Sequence, residues 1–531
     1  MRILLIYPNL QSETMVPTSL AIFSSLFKGE GFEVELFDTT DYEVETDFMT
    51  GLELDGTLGG TLGLIQIQNV RSTSRDQMKT LAVRPFKVVD RKKTTNVYQD
   101  LRKKVDSFGP NLLVVTATEN MFPMAINLLS FVRDFKIPTI LGGVFATFAP
   151  DLCMRWKVID MLCVGEGEYA LVDLCNRIKR GEDYSTIPGL WVRMPDGSIK
   201  KNPMVKTVDM NENPSPDFTL FEDARFYRPM SGKIYRMFPV ETHRGCPYTC
   251  RFCNSPAQNF LYTSMTQQMF FRKKSFENIR KELLFLRDVW RAEYFFFWAD
   301  TFFAWSEREF DQFCEMYQDI KMPFWCQTRP ETVTNQRMMK LKEVGLHKIA
   351  FGIEHGNEKF RKEVIDRAYT NQLVIEKMKI VNDLQIHFNV NNIIGFPMET
   401  RELAFDTIRL NAQIRSDTLS CSIFTPYHGT ELRAMAVNLG YVHPDLICPT
   451  NADDSVLDMP PPYMSKEQMR NLRRVFSLYA KFPESRWREI QVAESTTPEG
   501  VRMWEKLREE FIQAFFSGPD NDNMDLANIK T

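Results

Sequence analysis

The sequence predicts an α/β protein with two sheets in series. A doubly wound, Rossmann-like parallel sheet spans residues 1–200, a partial (β/α)6 barrel spans 236–430, and a helical segment at 431–531 closes the chain. Three observations carry this reading. Apolar runs of strand length alternate with helix-period segments, the pattern of parallel sheets wrapped by helices. Prolines or glycines stand just past several of these runs, as at Pro8, Gly142-Gly143 and Gly165. The chain has 531 residues, more than one hydrophobic core accommodates.

In chain order, residues 2–7 read as a strand, 18–28 as a helix and 33–37 as a second strand, giving one β-α-β unit. Residues 43–95, with a glycine-rich run at 51–63 and a basic stretch at 71–93, read as an insertion: a lid over a site or a solvated excursion. Alternation resumes with helix 97–107, strand 111–116, helix 125–134, strand 139–141, strand 161–164 and helix 170–180. Ligands of doubly wound sheets bind at the carboxyl ends of the strands. Pro8, Thr116, Thr118, Gly142, Gly143, Gly165 and Glu166 fall there. Residues 201–235, rich in proline and charge, read as a linker. Six further strands follow, at 238–242, 294–299, 324–328, 348–353, 387–394 and 419–424, with helices between them. Two helices at 465–479 and 501–516 precede a polar tail.

Composition sets outer limits. Hydrophobic residues make up 44% and charged residues 25%, as in an ordinary globular protein. A net charge of −4 gives no footprint for nucleic acid. No stretch approaches the roughly 20 apolar residues of a membrane span. The apolar run at the start ends at Pro8, too short for a signal peptide. Ten cysteines with a single cluster do not form a secreted disulfide framework, so a reducing cytoplasm is expected.

That cluster is Cys246, Cys250 and Cys253, spaced C-x3-C-x2-C just after the apolar run 237–240. Thiolates so close together repel one another unless a soft cation or cluster neutralises them. Three cysteines suit a [4Fe-4S] cube with one iron left without a protein ligand. Two other readings stay open: a Cys3His zinc site using His243, or a reduced loop without metal.

With Phe252 before the last cysteine, this loop resembles the signature of radical S-adenosylmethionine (SAM) enzymes. The resemblance implies that the open iron holds SAM, whose reductive cleavage yields a 5'-deoxyadenosyl radical. It also implies SAM contacts at Phe252 in the cysteine loop, at Arg272, which resembles another recurrent basic position, and at Asp300, Arg329, Glu354 and Gly395, which match strand-end motifs of the barrel. The turn Pro426-Tyr-His-Gly-Thr430 resembles the family's PYPGT turn, with His428 in place of a proline.

The N-terminal half resembles the cobalamin-binding domain of cobalamin-dependent radical SAM enzymes. The strand ending at Pro8, Gly142-Gly-Val-Phe-Ala-Thr147 and Gly165-Glu-Gly-Glu168 carry the likeness. It implies cobalamin contacts at Pro8, Thr116, Thr118, Gly142, Gly143, Gly165 and Glu166. No D-x-H-x-x-G motif is present, and the six histidines run from His243 to His443, so the N-terminal half supplies no axial imidazole. The expected activity is methyl transfer to an unactivated carbon or phosphorus of a small-molecule or natural-product substrate. Electrons would come from a donor such as flavodoxin or ferredoxin. A radical SAM cyclase or ring-rearranging enzyme, and a non-catalytic corrinoid or metal-binding protein, are the alternatives.

Overall fold

The structure, a computed structural model, describes residues 1–10, 15–42, 77–84, 93–449 and 454–516. Most of the expected insertion and the polar tail lie outside the described residues. The first sheet has seven strands in the order β2-β1-β3-β4-β5-β6-β7. Strands β1 (Arg2–Tyr7), β2 (Glu33–Asp38), β3 (Leu112–Thr116), β4 (Thr139–Gly142) and β5 (Met161–Cys163) run parallel. Strands β6 (Leu190–Arg193) and β7 (Ile199–Lys201) add an antiparallel edge.

Successive residues of a strand face opposite sides, and helices cover both faces of this sheet. Ile3 and Leu5 therefore enter one core with Leu20 and Phe27 of the helix Thr18–Gly29 and Leu174 of the helix Glu168–Arg180. Leu4 and Ile6 enter the other with Leu101 and Val105 of the helix Val97–Phe108. That double burial is why the strands read as unbroken apolar runs. The order 2-1-3-4-5 reverses direction between β1 and β3, which opens a crevice at their carboxyl ends.

The second sheet has the order β16-β15-β14-β13-β12-β9-β8. Strands β9 (Lys233–Val240), β12 (Tyr294–Phe297), β13 (Phe324–Thr328), β14 (Leu346–Glu354), β15 (His387–Ile394) and β16 (Thr418–Ile423) are parallel neighbours, the expected partial barrel. Strand β8 (Tyr227–Met230) pairs antiparallel with β9 through a turn at Ser231 and Gly232, both at positive φ, the geometry of a tight hairpin. A strand thus lies within the stretch read as a linker. The short pair β10 (His243–Arg244) and β11 (Arg272–Lys273) flanks the cysteine loop.

On the convex face, Phe297 of β12 and Phe324 of β13 pack on Tyr317 of the helix Glu307–Tyr317. Among the described residues the C-terminal segment holds four α-helices, Glu431–Asn438, Lys466–Lys481, Trp487–Glu494 and Pro498–Phe515. Of the expected insertion, residues 77–84 dock on this segment: Leu81 is buried, and the Thr80 carbonyl accepts the Ser477 hydroxyl at 2.8 Å. Among the described residues no helix is long and apolar enough to cross a membrane.

Candidate active site

The three cysteines lie past the carboxyl end of β9, between β10 and the helix Ser255–Thr266. Cys253 donates its N–H to the Cys250 carbonyl at 3.1 Å, and Ser255 N–H points at Cys253 Sγ at 3.4 Å. Cys246 and Cys250 are buried and Cys253 is partly buried. Burial pushes the Cys246 thiol up and that of Cys253 up to about 11, so without a cation these thiols stay neutral.

Cationic groups surround them. Arg367 Nε lies 3.2 Å from Cys250 Sγ and Arg329 Nη1 lies 3.5 Å from it, both side chains being buried. Arg367 also donates to the Gly352 carbonyl at 2.6 Å and pairs with Glu354 at 3.3 Å. Arg329 pairs with Glu331 at 2.6 Å and lies 3.8 Å above the Tyr248 ring. Two buried guanidiniums aimed at one sulfur suit an anionic, thiolate-held centre. Among the described residues no group of three His, Cys, Asp or Glu side chains could hold a single metal ion. His243 packs against Trp305 at 4.9 Å, and both its ring nitrogens are buried without a hydrogen-bond partner among the described residues. A Cys3His zinc site is therefore not assembled. Three cysteines beside two buried guanidiniums fit the donor set of an anionic cube.

The strand-end residues converge on the same loop. Asp300 follows β12 and accepts the Ser255 hydroxyl at 2.9 Å. Glu354 ends β14 at positive φ, beside a register shift, with its carboxyl raised chiefly by burial. Phe252 lies 5.3 Å from the Arg367 guanidinium and 6.2 Å from Phe396. Gly395 follows β15 at φ +81°, and a Cβ there would lie 2.5 Å from Met469 Sδ, so glycine lets the C-terminal helix approach. Buried Glu399 accepts the N–H groups of Gly395 and Phe396 and meets His355 at 3.1 Å, which fixes this turn. Sequence reasoning missed both Arg367 and Glu399.

Arg272 and Glu166, placed by sequence at different cofactors, pair with each other across the two sheets. Arg244 joins them, reaching Glu166 at 2.6 Å, Glu168 at 2.7 Å and Glu241 at 3.0 Å. A second tie links the carboxyl end of β3 to the barrel. Glu119 accepts the His428 backbone N–H and the Cys448 N–H, each at 2.8 Å, and contacts His428 Nδ1 at 2.8 Å. Close by, Thr116, Thr118, Gly142 and Gly143 line the edge of the first sheet. Gly143 has φ +109°, and a Cβ there would lie 2.6 Å from the Ala117 carbonyl oxygen, so only glycine brings β4 this close to the β3 turn. Pro8 is buried beside them, while Gly165 lies against Met204 and Tyr262.

A partial barrel carrying a three-cysteine loop at its mouth, docked on the carboxyl edge of a doubly wound sheet, is the arrangement the sequence led one to expect. Residues 240–410 match the Radical SAM superfamily. A protein from Pyrococcus horikoshii described as an uncharacterised methyltransferase is 28% identical over 389 residues, 72% of this chain and 79% of its own length. An anaerobic magnesium-protoporphyrin IX monomethyl ester cyclase of Rubrivivax gelatinosus is 23% identical, covering 64% of this chain and 61% of the relative. Among solved structures, the radical SAM methyltransferase TsrM of Kitasatospora setae, with cobalamin and a [4Fe-4S] cluster bound, superposes with a TM-score of 0.60 at 15% identity. That match covers 96% of this chain and 99% of the other, and it shows the shared fold.

Proposed function

We propose that this chain is a cobalamin-dependent radical SAM methyltransferase acting on a small molecule. The observation that carries the reading is the double tie, Glu166 to Arg244 and Arg272 and Glu119 to His428, which holds the crevice of the first sheet against the cysteine loop. When bound, the cluster with SAM supplies a 5'-deoxyadenosyl radical and cobalamin supplies a transferable methyl group.

Cys246, Cys250 and Cys253 hold the cluster in this reading, and Arg367 and Arg329 balance its charge. Phe252, Asp300, Glu354 and the Gly395 backbone bound the SAM pocket, with Asp300 near the amino group. Pro8, Thr116, Thr118, Gly142, Gly143 and Gly165 form the cobalamin floor. Arg272 and Glu166 serve it by fixing the relation of the two sheets. No histidine of the N-terminal half reaches the corrinoid, because the first histidine of the chain is His243. Electrons enter from a flavodoxin or ferredoxin type of donor.

The likeness to a cyclase supports a second reading, in which the same groups perform ring closure without methyl transfer. Anaerobically reconstituted protein given SAM, a reductant, cobalamin and extracts of candidate metabolites decides between them. S-adenosylhomocysteine together with 5'-deoxyadenosine supports methyl transfer. Deoxyadenosine alone supports cyclisation, and neither product sinks both.

A further inference from the structure

Parallel neighbours in register point to the same face of a sheet, so the pairings sort the barrel's residues into layers. Phe296, Trp325, Lys348 and His387 form one layer, next above Tyr294 and Met237 at the amino-terminal end of the lumen. Gln327, Ala350 and Asn389 form the next, level with Trp298. Gly352, Asn391 and Ser420 form a third, nearest the cysteine loop.

The Phe296 layer is unusual in composition. Phe296 and Trp325 stack at 3.9 Å with an interplanar angle of 13°, and Trp298 continues the aromatic wall 5.5 Å away, 53% exposed to the open lumen. The opposite wall is polar: Asn391 Oδ1 accepts from Asn389 at 3.1 Å and from the Ser420 hydroxyl at 2.8 Å. At the floor, Lys348 is half-buried and has no hydrogen-bond or ion-pair partner among the described residues. The charged groups that bear on it are Asp417 and Arg84. Asp417 is already engaged by His387 Nδ1 at 3.2 Å and by the Phe388 N–H at 2.8 Å. One committed carboxylate thus stands beside Lys348 and Arg84, which leaves the half-buried Lys348 ammonium without a bound anion among the described residues.

We propose that Lys348 anchors the anionic end of the substrate, a carboxylate or a phosphate, while Phe296, Trp325 and Trp298 hold a flat, conjugated middle section. Phe296 at the floor and Asp300, which lies past the end of β12, are four residues apart, a span of at most about 13 Å at about 3.3 Å per residue. The substrate is therefore an elongated molecule with its charge at the far end from the reacting carbon. This deepens the radical SAM reading and rests on it.

Binding without turnover tests the proposal. Biphenyl-4-carboxylate and biphenyl-4-carboxamide, equal in shape and different in charge, are titrated calorimetrically into anaerobically reconstituted holoenzyme. The acid is expected to bind at least tenfold more tightly than the amide. Lys348→Met abolishes that preference, Lys348→Arg keeps it, and Trp298→Ala weakens both probes alike. Equal binding of the two probes, no binding of either, or a preference that survives Lys348→Met overturns the proposal. Iron content and SAM cleavage, measured on the same preparations, report separately on the radical SAM reading.

Discussion

Replacing Glu166 with alanine removes the centre of the tie between the two sheets. Its carboxylate takes Arg244 at 2.6 Å, Arg272, and the Val208 N–H at 3.0 Å. Side-chain exposures are 8% for Glu166, 16% for Arg244 and 18% for Arg272, so water screens these contacts little. Losing one partner of such a buried pair costs about 3–5 kcal/mol. Arg244 keeps Glu168 and Glu241, whereas Arg272 loses its ion pair and keeps only the more distant charge of Glu241, with Nε and Nη1 already lacking hydrogen-bond partners among the described residues. The lower end, about 3 kcal/mol, is therefore expected. The urea slope exceeds the about 1–3 kcal/mol per molar of small proteins in a chain of 531 residues, so the unfolding midpoint falls by a few tenths of a molar, up to about 1 M. Urea unfolding of Glu166→Ala, Arg272→Met and the double variant measures this. The double variant should be no less stable than Glu166→Ala, because it also removes the stranded charge. A Glu166→Ala loss under about 0.5 kcal/mol, or simple additivity of the two changes, refutes the reasoning.

Arg367→Met should shift the cluster's reduction potential downward and loosen its retention, since hydrogen bonds and positive charge at a ligand sulfur favour the reduced form. A redox titration followed by electron paramagnetic resonance reads this, at about 60 mV for each tenfold change in the one-electron equilibrium; an unchanged potential contradicts it. Burial alone would raise the Glu119 carboxyl, but the hydrogen bond and charge of His428 and two backbone N–H groups hold it below its ordinary value. A carboxylate depressed in the folded state stabilises above its unfolded pKa, about 4.3, and loses that contribution as pH falls through the folded value. Acid unfolding of wild type should therefore begin at higher pH than in Glu119→Gln relative to each protein's stability at pH 7; parallel curves for the two would count against the tie.

Much of the fold was legible because double burial turns strands into apolar runs and leaves helices with a 3.6-residue period. Strands β1, β13 and β15 lie where the pattern puts them for this reason. The hairpin of β8 and β9 was not, because Pro229 and a polar stretch mask the pairing, and its turn signal is only Ser231-Gly232. The helix Ser255–Thr266 buries little beyond Ser255 and Tyr262, so it carries no apolar stripe to read. The cysteines were visible because their spacing is local. Arg367 reaches Cys250 across 117 residues, and nothing in its neighbourhood announces a thiol partner. Glu166 was legible as a strand-end residue, but its partners Arg244 and Arg272 lie on another sheet, and only folding brings them together. The reading of residues 43–76 and 85–92 as lid or excursion lies outside the described residues.

Iron and acid-labile sulfide in anaerobically purified protein, wild type beside Cys250→Ala, bear most directly on the cysteine loop. About four irons and four sulfides per chain in the wild type, with loss of both in the variant and of SAM cleavage with them, is the predicted result. Stoichiometric zinc without sulfide, or a Cys250→Ala protein that retains its iron and still cleaves SAM, contradicts it.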